Sequence, residues 1–450
     1  MSELFLDVRL DGFPQPAGVL VRDANGGLAF AYSPLLLASP GASPLSLSLP
    51  ISDEPYGDVV TRAFFGNLLQ ERDASLTEVL NREALSRDDI AGLLLHLGKD
   101  CPGALSVLPA GAPPVKVPGD FARDYVVLTD ERMLVIAKAL HERGRLPTGM
   151  QDPSPLAGVQ SKVALTLLPD GEFAEPKPGS GAPTTHILKV PDQHHRSDCA
   201  LEAATLNLSR ALGVQTAQAR VMDIGGIDVL LITRFDRCID ADGRVVRLHQ
   251  EDFAQALGLP SSLKYERNGM PGRRFDALAI RRVLDATLDP ATERVTFIRA
   301  TLFDLLTGNV DGHAKNHALL HLGGGSVRLA PRYDLLPTRL DQNFTDQLAF
   351  KIGAAETLAA ISKADFDAFL KILGIVTPAA RRRIGVQLSQ EIADGLADTL
   401  DEIANRGMKA YADLIAANMR QLLPVLGAQV PLAAQNRDAY VQHGGGWLTP

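Results

Sequence analysis

Cysteine is scarce in this sequence. The three in 450 residues, Cys101, Cys199 and Cys238, are scattered, with no C-x-x-C spacing. That excludes a disulfide-stapled secreted scaffold and a cysteine-ligated zinc site, and it makes a reducing cytosol the expected compartment. Long apolar runs are missing too: nothing approaches the roughly 20 residues that a membrane-spanning helix needs. The N-terminus, MSELFLDVRLDGF, has acidic residues where a secretory leader has basic ones. Basic charge is short as well, since 45 Lys and Arg stand against 53 Asp and Glu, a net −8. That balance lacks the excess of an autonomous nucleic-acid binder, and no polybasic run is present to seat the chain on a membrane. What the chain does have is apolar content, 46% of its residues. This is enough for two or three packed units and too much for wholesale disorder.

The first hundred or so residues read as a small α+β unit. LFLDVRL (4–10) alternates apolar and polar residues as a half-buried strand does, and two more strand-like runs flank Asn25-Gly26-Gly27, a hairpin signal. RAFFGNLL (62–69) and DDIAGLLLHLG (88–98) have helical spacing. Pro109, Pro113, Pro114 and Pro118 then mark a linker. A second unit opens with the helix-like DERMLVIAKALHERG and continues through the loop PSPLAGVQSK to the strands VALTLLP and THILKV. The helix LEAATLNLSRALG and the strand DVLLITRF follow. From about residue 240 the pattern turns mainly helical. EDFAQALG, FDALAIRRVLDATL and TERVTFIRATLFDLLTG read as helices, and three more are expected over 355–373, 378–406 and 408–424.

The strongest chemical signal is GNVDGHAKN, 308–316. Gly308 breaks a helix whose apolar face includes Val295, Ile298, Leu302, Leu305 and Leu306, so Asp311 falls in a loop with Asn316 five residues on. Protein kinases separate a catalytic-loop Asp from a metal-binding Asn in the same way. The carboxylate must orient an attacking hydroxyl and accept its proton, and the amide oxygen must reach a magnesium ion. One loop turn serves both. HALLHL and SVRLAPRYD read as two strands joined by Gly323-Gly324-Gly325, and just past them RYDLLP supplies Asp334 as a second hard oxygen ligand. Either acid alone is an ordinary loop residue; the set in a helix–loop–hairpin context is not.

The nucleotide side is less specific. AGVQSK (Ala157, Gly158, Val159, Gln160, Ser161, Lys162) can fold over phosphates with backbone N–H groups, but its one glycine fits neither a Walker A loop nor G-x-G-x-x-G. Read alone, it is a surface turn. Lys189, read as mid-strand in HILKV, either snorkels or meets an anion such as the α/β-phosphates, and Glu202 on the next helix either pairs with it or is solvated. Backbone groups of Ile232, Thr233, Arg234 and Phe235 are placed to meet an adenine edge. His313, Lys315 and Tyr333 complete the candidate nucleotide set.

These segments resemble the HipA-type serine/threonine kinase toxins of bacterial toxin–antitoxin pairs. The resemblance runs in order through FFGNLL, LLLHLGKDCPGALSVLP, AGVQSKVAL, HILKV, ITRFDR, LHQEDFAQALGLPSSLKYE, GNVDGHAKNHAL and LAPRYDLLPT, to about residue 340. It implies ATP with Mg2+, transfer to a protein serine or threonine, and a small DNA-binding antitoxin of HipB type through which alone DNA is met. It also implies Asp311 as catalytic base, Asn316 and Asp334 as metal ligands, Lys189 on the phosphates, the loop 157–162 over the nucleotide, and an aminoacyl-tRNA synthetase as a candidate substrate. Two positions depart from the family pattern. Pro155 stands two residues before Ala157, near the place of a serine that some members autophosphorylate, so that Ser154 and Ser161 are the hydroxyls left in the loop and Ser154, outside the glycine turn, is the favoured autophosphorylation candidate; and Thr233 replaces an acidic hinge residue.

The expected fold is α+β and two-lobed, protein-kinase-like. An N-terminal subdomain spans 1–115, the kinase N-terminal lobe with its phosphate loop spans 116–238, and a mainly helical C-terminal lobe with the catalytic loop spans 239–450. Two other readings stay open. A lipid or small-molecule kinase also carries Asp-x-His-x-x-Asn, as Asp311 to Asn316 does. A catalytically silent scaffold for a DNA-binding partner would keep the fold without the chemistry.

Overall fold

The computed structural model describes residues 2–69, 79–147 and 161–438, and the chain divides into two compact units. The first comprises 1–193, 220–262 and 318–330; the second comprises 194–219, 263–317 and 331–450.

In the first unit, β1 (Leu4–Leu10), β2 (Gly18–Arg22), β3 (Leu28–Tyr32) and β4 (Leu105–Pro109) form one sheet in the order β3-β2-β1-β4. The period-2 pattern does what it predicts: Leu6, Val8, Leu20 and Phe30 turn inward to 0% exposure. Gly26, at φ 88°, makes the β2–β3 turn, and the Asp23 side chain accepts from the N–H groups of Asn25 and Gly27. Helices α1 (Asp58–Gly66) and α2 (Ile90–Leu97) bury Phe64, Phe65, Leu93 and Leu94 in the same core.

A second sheet has six strands: β5 (Tyr125–Val127), β6 (Lys162–Leu167), β7 (Phe173–Pro176), β8 (His186–Lys189), β9 (Ala219–Asp223) and β10 (Asp228–Thr233). Their order is β5-β7-β6-β8-β10-β9. Helix α3 (Asp130–Arg143) starts where Thr129 accepts from the Arg132 N–H and ends at Gly144. It packs Ile136 and Leu140 against Val163, Leu165, Leu188 and Leu231. The strand β7 was not expected, because GEFAEP lacks an apolar alternation. Lys189 ends β8 rather than sitting mid-strand.

The proline-rich linker has no helix or strand over 110–118, yet it is held in place. The Val117 N–H donates to Gly181 O at 3.2 Å, and Lys116 pairs with Asp100 at 2.9 Å. Asp100 also meets Arg247 at 3.0 Å, and Asp236 pairs with Arg234 at 2.9 Å while accepting from the Gly103 N–H at 3.1 Å. A buried network of charge thus ties the N-terminal sheet region to the strand that carries Thr233.

In the second unit, α4 (Asp198–Ala211), α5 (Pro290–Thr307) and α6 (Lys409–Leu426) are the main supports. The Tyr411 hydroxyl meets Thr205 Oγ1 at 2.8 Å, and Asn418 Nδ2 donates to Leu306 O at 3.1 Å. Three expected helices are corrected. EDFAQALG is helical only over Phe253–Ala256, because Asp252 caps that helix and Gln250–Asp252 pair as a strand with Ala318–Leu320. Residues 355–362 are not helical: Ala355–Thr357 pair with Gln347–Ile352 around Gly353, and a Ser362–Asp365 capping box starts the helix at Lys363. The stretch 378–406 is broken by π turns and by a helix end before Thr399. Among the described residues no helix is long and apolar enough to cross a membrane.

Candidate active site

Helix α5 aims the candidate loop. Ile298, Leu302, Leu305 and Leu306 are buried, with Val295 half-buried at the outer end. Gly308 takes φ 81°, and its N–H returns to Asp304 O. A Cβ there would stand 2.7 Å from Leu414 Cδ2 and push that side chain aside, so conformation favours glycine and packing adds to it.

Beyond Gly308 the chain folds into a tight loop. Asn309 Oδ1 accepts from the Asp311 N–H at 3.1 Å, Asp311 O accepts from the His313 N–H at 2.7 Å, and Asn316 Nδ2 donates to Asp311 O at 2.8 Å. That last bond joins the two ends of the predicted five-residue spacing and leaves Asn316 Oδ1 as the oxygen for a cation. Beneath the loop, His317 donates from Nε2 to Gly312 O at 3.1 Å and packs on Phe297, ring centroids 5.0 Å apart. Burial holds it well below the ordinary histidine range, so it stays neutral.

Asp311 is itself half-buried. Burial pushes its carboxyl up to about 6; the hydrogen bond from Tyr265 works against that, and the neighbouring charge of Asp334 adds to it. The Tyr265 hydroxyl donates to Asp311 Oδ1 at 2.5 Å. A carboxyl poised so close to neutrality can take a hydroxyl proton and release it again.

Asp334 lies past the hairpin formed by β11 (Ala318–Gly323) and β12 (Ser326–Leu329), where the spacing placed it. Its φ of 58° is left-handed, one of two such non-glycine residues among those described. Aspartate tolerates that region at a cost of about 1 kcal/mol or more. The surrounding loop is fastened at four points, three on the catalytic loop and one on the helix before it. Tyr333 donates to Lys315 O at 2.6 Å, the Arg339 N–H to Gly308 O at 3.0 Å and the Val310 N–H to Thr338 Oγ1 at 3.1 Å. Arg332 pairs with Asp304 on α5 at 2.9 Å. Burial still raises the Asp304 carboxyl despite that partner. The donor set fits magnesium, which takes one or two protein oxygens and fills the rest of its shell with phosphates and water. A cluster of three or more acidic, histidine or cysteine ligands is absent among the described residues, which is no obstacle to such a site.

Asp311, His313, Lys315, Asn316, Tyr333 and Asp334 therefore come together in the second unit. Ser161, Lys162, Lys189, Thr233, Arg234 and Phe235 belong to the first, and Glu202 to the second. Lys189 is buried and pairs in register with Lys162 and Leu230. The Arg234 side chain faces Asp236. Ala157, Gly158, Val159, Gln160 and the candidate Ser154 lie outside the described residues. Sequence reasoning missed Tyr265, Asp304, Arg332 and Thr338. Their signals were a tyrosine in the quoted LPSSLKYE, an acid on an otherwise apolar helix face, and the residues bracketing Tyr333-Asp334.

An α+β fold of the protein-kinase-like class carries this loop. Comparison narrows it further. The family model of the HipA-like C-terminal domain matches residues 154–403, and that of the HipA N-terminal domain matches residues 6–108. A Sinorhizobium fredii protein named "Putative kinase Y4mE" is 35% identical over 426 residues, 93% of this chain and 99% of its own length. The serine/threonine-protein kinase toxin HipA of Shewanella oneidensis is 29% identical over 345 residues, 74% of this chain and 75% of that one. The solved complex of Shewanella oneidensis MR-1 HipA with HipB and operator DNA aligns with a TM-score of 0.73 at 26% identity, covering 94% of this chain and 98% of that chain. The chain belongs to the HipA family of serine/threonine kinase toxins.

Proposed function

We propose that this chain transfers the γ-phosphoryl group of ATP to a serine or threonine hydroxyl of another protein and acts as the toxin of a toxin–antitoxin pair. The observation that carries the reading is the Asp311 loop: a half-buried carboxylate raised toward neutrality, bonded through its own carbonyl to Asn316 and facing the charge of Asp334. In this reading Asp311 accepts the hydroxyl proton as the new O–P bond forms and the bond to the β-phosphate breaks, releasing ADP. Asn316 and Asp334 would hold Mg2+, whose charge would offset that of the phosphates. Lys189 meets the α/β-phosphates, the loop 157–162 covers them, and backbone groups at 232–235 receive the adenine. His313, Lys315 and Tyr333 shape the floor. The division into an N-terminal subdomain (1–115), a nucleotide lobe (116–238) and a catalytic lobe (239–450) goes with it.

The partner reading rests on the relative solved with HipB and operator DNA. A small DNA-binding antitoxin of that type would hold this chain, and DNA would be reached only through it, since a net −8 disfavours direct contact with phosphates. The substrate reading extends to an aminoacyl-tRNA synthetase, whose phosphorylation would arrest translation. Expression in a bacterial host tests the toxin role. Wild type should slow growth and protein synthesis, and Asp311→Asn should not. Equal harmlessness or equal toxicity of the two removes the reading.

A further inference from the structure

The segment 264–267, Lys-Tyr-Glu-Arg, precedes the catalytic loop by more than forty residues and has no part in the sequence-based site. In the structure it is fastened beside Asp311 from both sides. The Lys264 carbonyl accepts from the Ala314 N–H at 3.0 Å, inside the catalytic loop. Glu266, itself buried, accepts from the Lys351 N–H at 2.7 Å. Between these anchors the Tyr265 ring is gripped on its faces and edges. The Arg267 guanidinium lies 4.0 Å from the ring centroid, and the His313 ring stands edge-on at 5.1 Å. The phenol is therefore fixed before it reaches the carboxylate, and its hydroxyl ends 2.5 Å from Asp311 Oδ1. It is the hydrogen bond that this carboxylate accepts from a side chain of the described residues.

A free aspartate carboxylate would not hold its plane. Its terminal torsion is broad, so backbone geometry alone leaves both oxygens wandering over a wide arc. Proton transfer needs one oxygen within about 3 Å of the acceptor hydroxyl and aligned with it. A donor locked onto Oδ1 sets the torsion and turns Oδ2 to the acceptor.

We propose that Tyr265 is the positioning residue of the catalytic base: its hydroxyl fixes Asp311 Oδ1, so that Oδ2 receives the acceptor proton. The phenol keeps its own proton throughout. The proton from the acceptor hydroxyl goes to Asp311, the acceptor oxygen bonds to phosphorus, and ADP leaves with the electrons of the broken bond. This rests on the kinase reading above. Lys264 and Arg267 contribute by lowering the negative potential around the pair, and Arg267 also by holding the ring.

The test is Tyr265→Phe in the full chain, which removes one oxygen and leaves the ring to Arg267 and His313. Label transfer from γ-labelled ATP into bacterial extract protein is followed across an ATP titration, with thermal melts alongside. The expected result is a fall in apparent kcat of roughly 10- to 100-fold, with KM for ATP and Tm unchanged. An unchanged kcat overturns the proposal. A raised kcat overturns it too, since the hydroxyl would then be an occupant of the acceptor's place. A fall in kcat that comes with a lower Tm, or with a raised KM for ATP, makes Tyr265 a structural or nucleotide-site residue and also overturns it. Wild type that transfers label to no protein refutes both this proposal and the kinase reading. Active wild type matched by Tyr265→Phe refutes the proposal alone.

Discussion

Asp100 is the hub of the buried charge network in the first unit, so Asp100→Asn is a sharp probe of what holds that unit together. Burial alone would raise the Asp100 carboxyl. The surrounding Lys116, Arg247, Arg237 and Arg234 overcome that and hold it at about 2, against an ordinary 3.8. At 1.36 kcal/mol per unit, a shift of that size is on the order of 2 kcal/mol of folding stability, part of which the burial of Lys116 offsets by lowering its ammonium. The sign follows from the direction of the shift. A depressed carboxyl contributes fully above 3.8 and loses its contribution as pH falls through about 2. Replacement by asparagine does more than delete this term. It leaves Lys116, at 2.9 Å, buried without its anion, while Arg247 loses one of two and keeps Asp11 at 2.6 Å. Breaking such a pair costs about 3–5 kcal/mol. The variant should therefore unfold at a clearly lower urea concentration at pH 7, by the equivalent of about 2–5 kcal/mol. The gap from wild type should narrow steadily as the pH is lowered toward 2. Circular dichroism across urea series at several pH values measures both. Equal midpoints at pH 7, or a gap that does not close in acid, would refute the reasoning.

Asp334→Asn should weaken magnesium-dependent ATP binding; calorimetric titration of ATP at several magnesium concentrations measures it, and an unchanged affinity throughout would remove the metal role. The chain alone should give no specific complex with DNA at moderate salt, because a net −8 disfavours contact with phosphates; a tight gel shift without a partner contradicts this. Incubation with magnesium–ATP should phosphorylate Ser154, adding about −1.5 to −2 charges beside the phosphate loop. Peptide mass spectrometry checks this, and an unmodified loop would count against it.

The elements legible in the sequence were those whose local chemistry agrees with their packing. Leu6 and Val8 alternate because one face of β1 is a core, and α5 ends at Gly308 because the left-handed turn there favours glycine. The Asp311–Asn316 spacing was readable because a single loop turn enforces it. Asp334 was readable because a hairpin of fixed length precedes it. What stayed hidden depends on residues distant in sequence. Tyr265 reaches Asp311 across forty-six positions, Arg332 reaches Asp304 across twenty-eight, and Arg247 reaches Asp100 across one hundred and forty-seven. No local pattern encodes such pairs. The short strands β5 and β7 were missed for a related reason, since their identity comes from pairing with each other rather than from their own alternation. The helix expected over 355–362 failed on a local signal that was present and passed over, the Ser362–Asp365 box.

The central claim is that Asp311 is the base of a phosphoryl transfer to protein. Purified wild type and Asp311→Asn, incubated with γ-labelled ATP, magnesium and bacterial extract, test it most directly. The account predicts a labelled, phosphatase-sensitive protein band with wild type. It predicts a loss of at least about a hundredfold in the variant, while Tm and ATP affinity are kept. Equal labelling by the two proteins, or label found in lipid rather than protein, would contradict it.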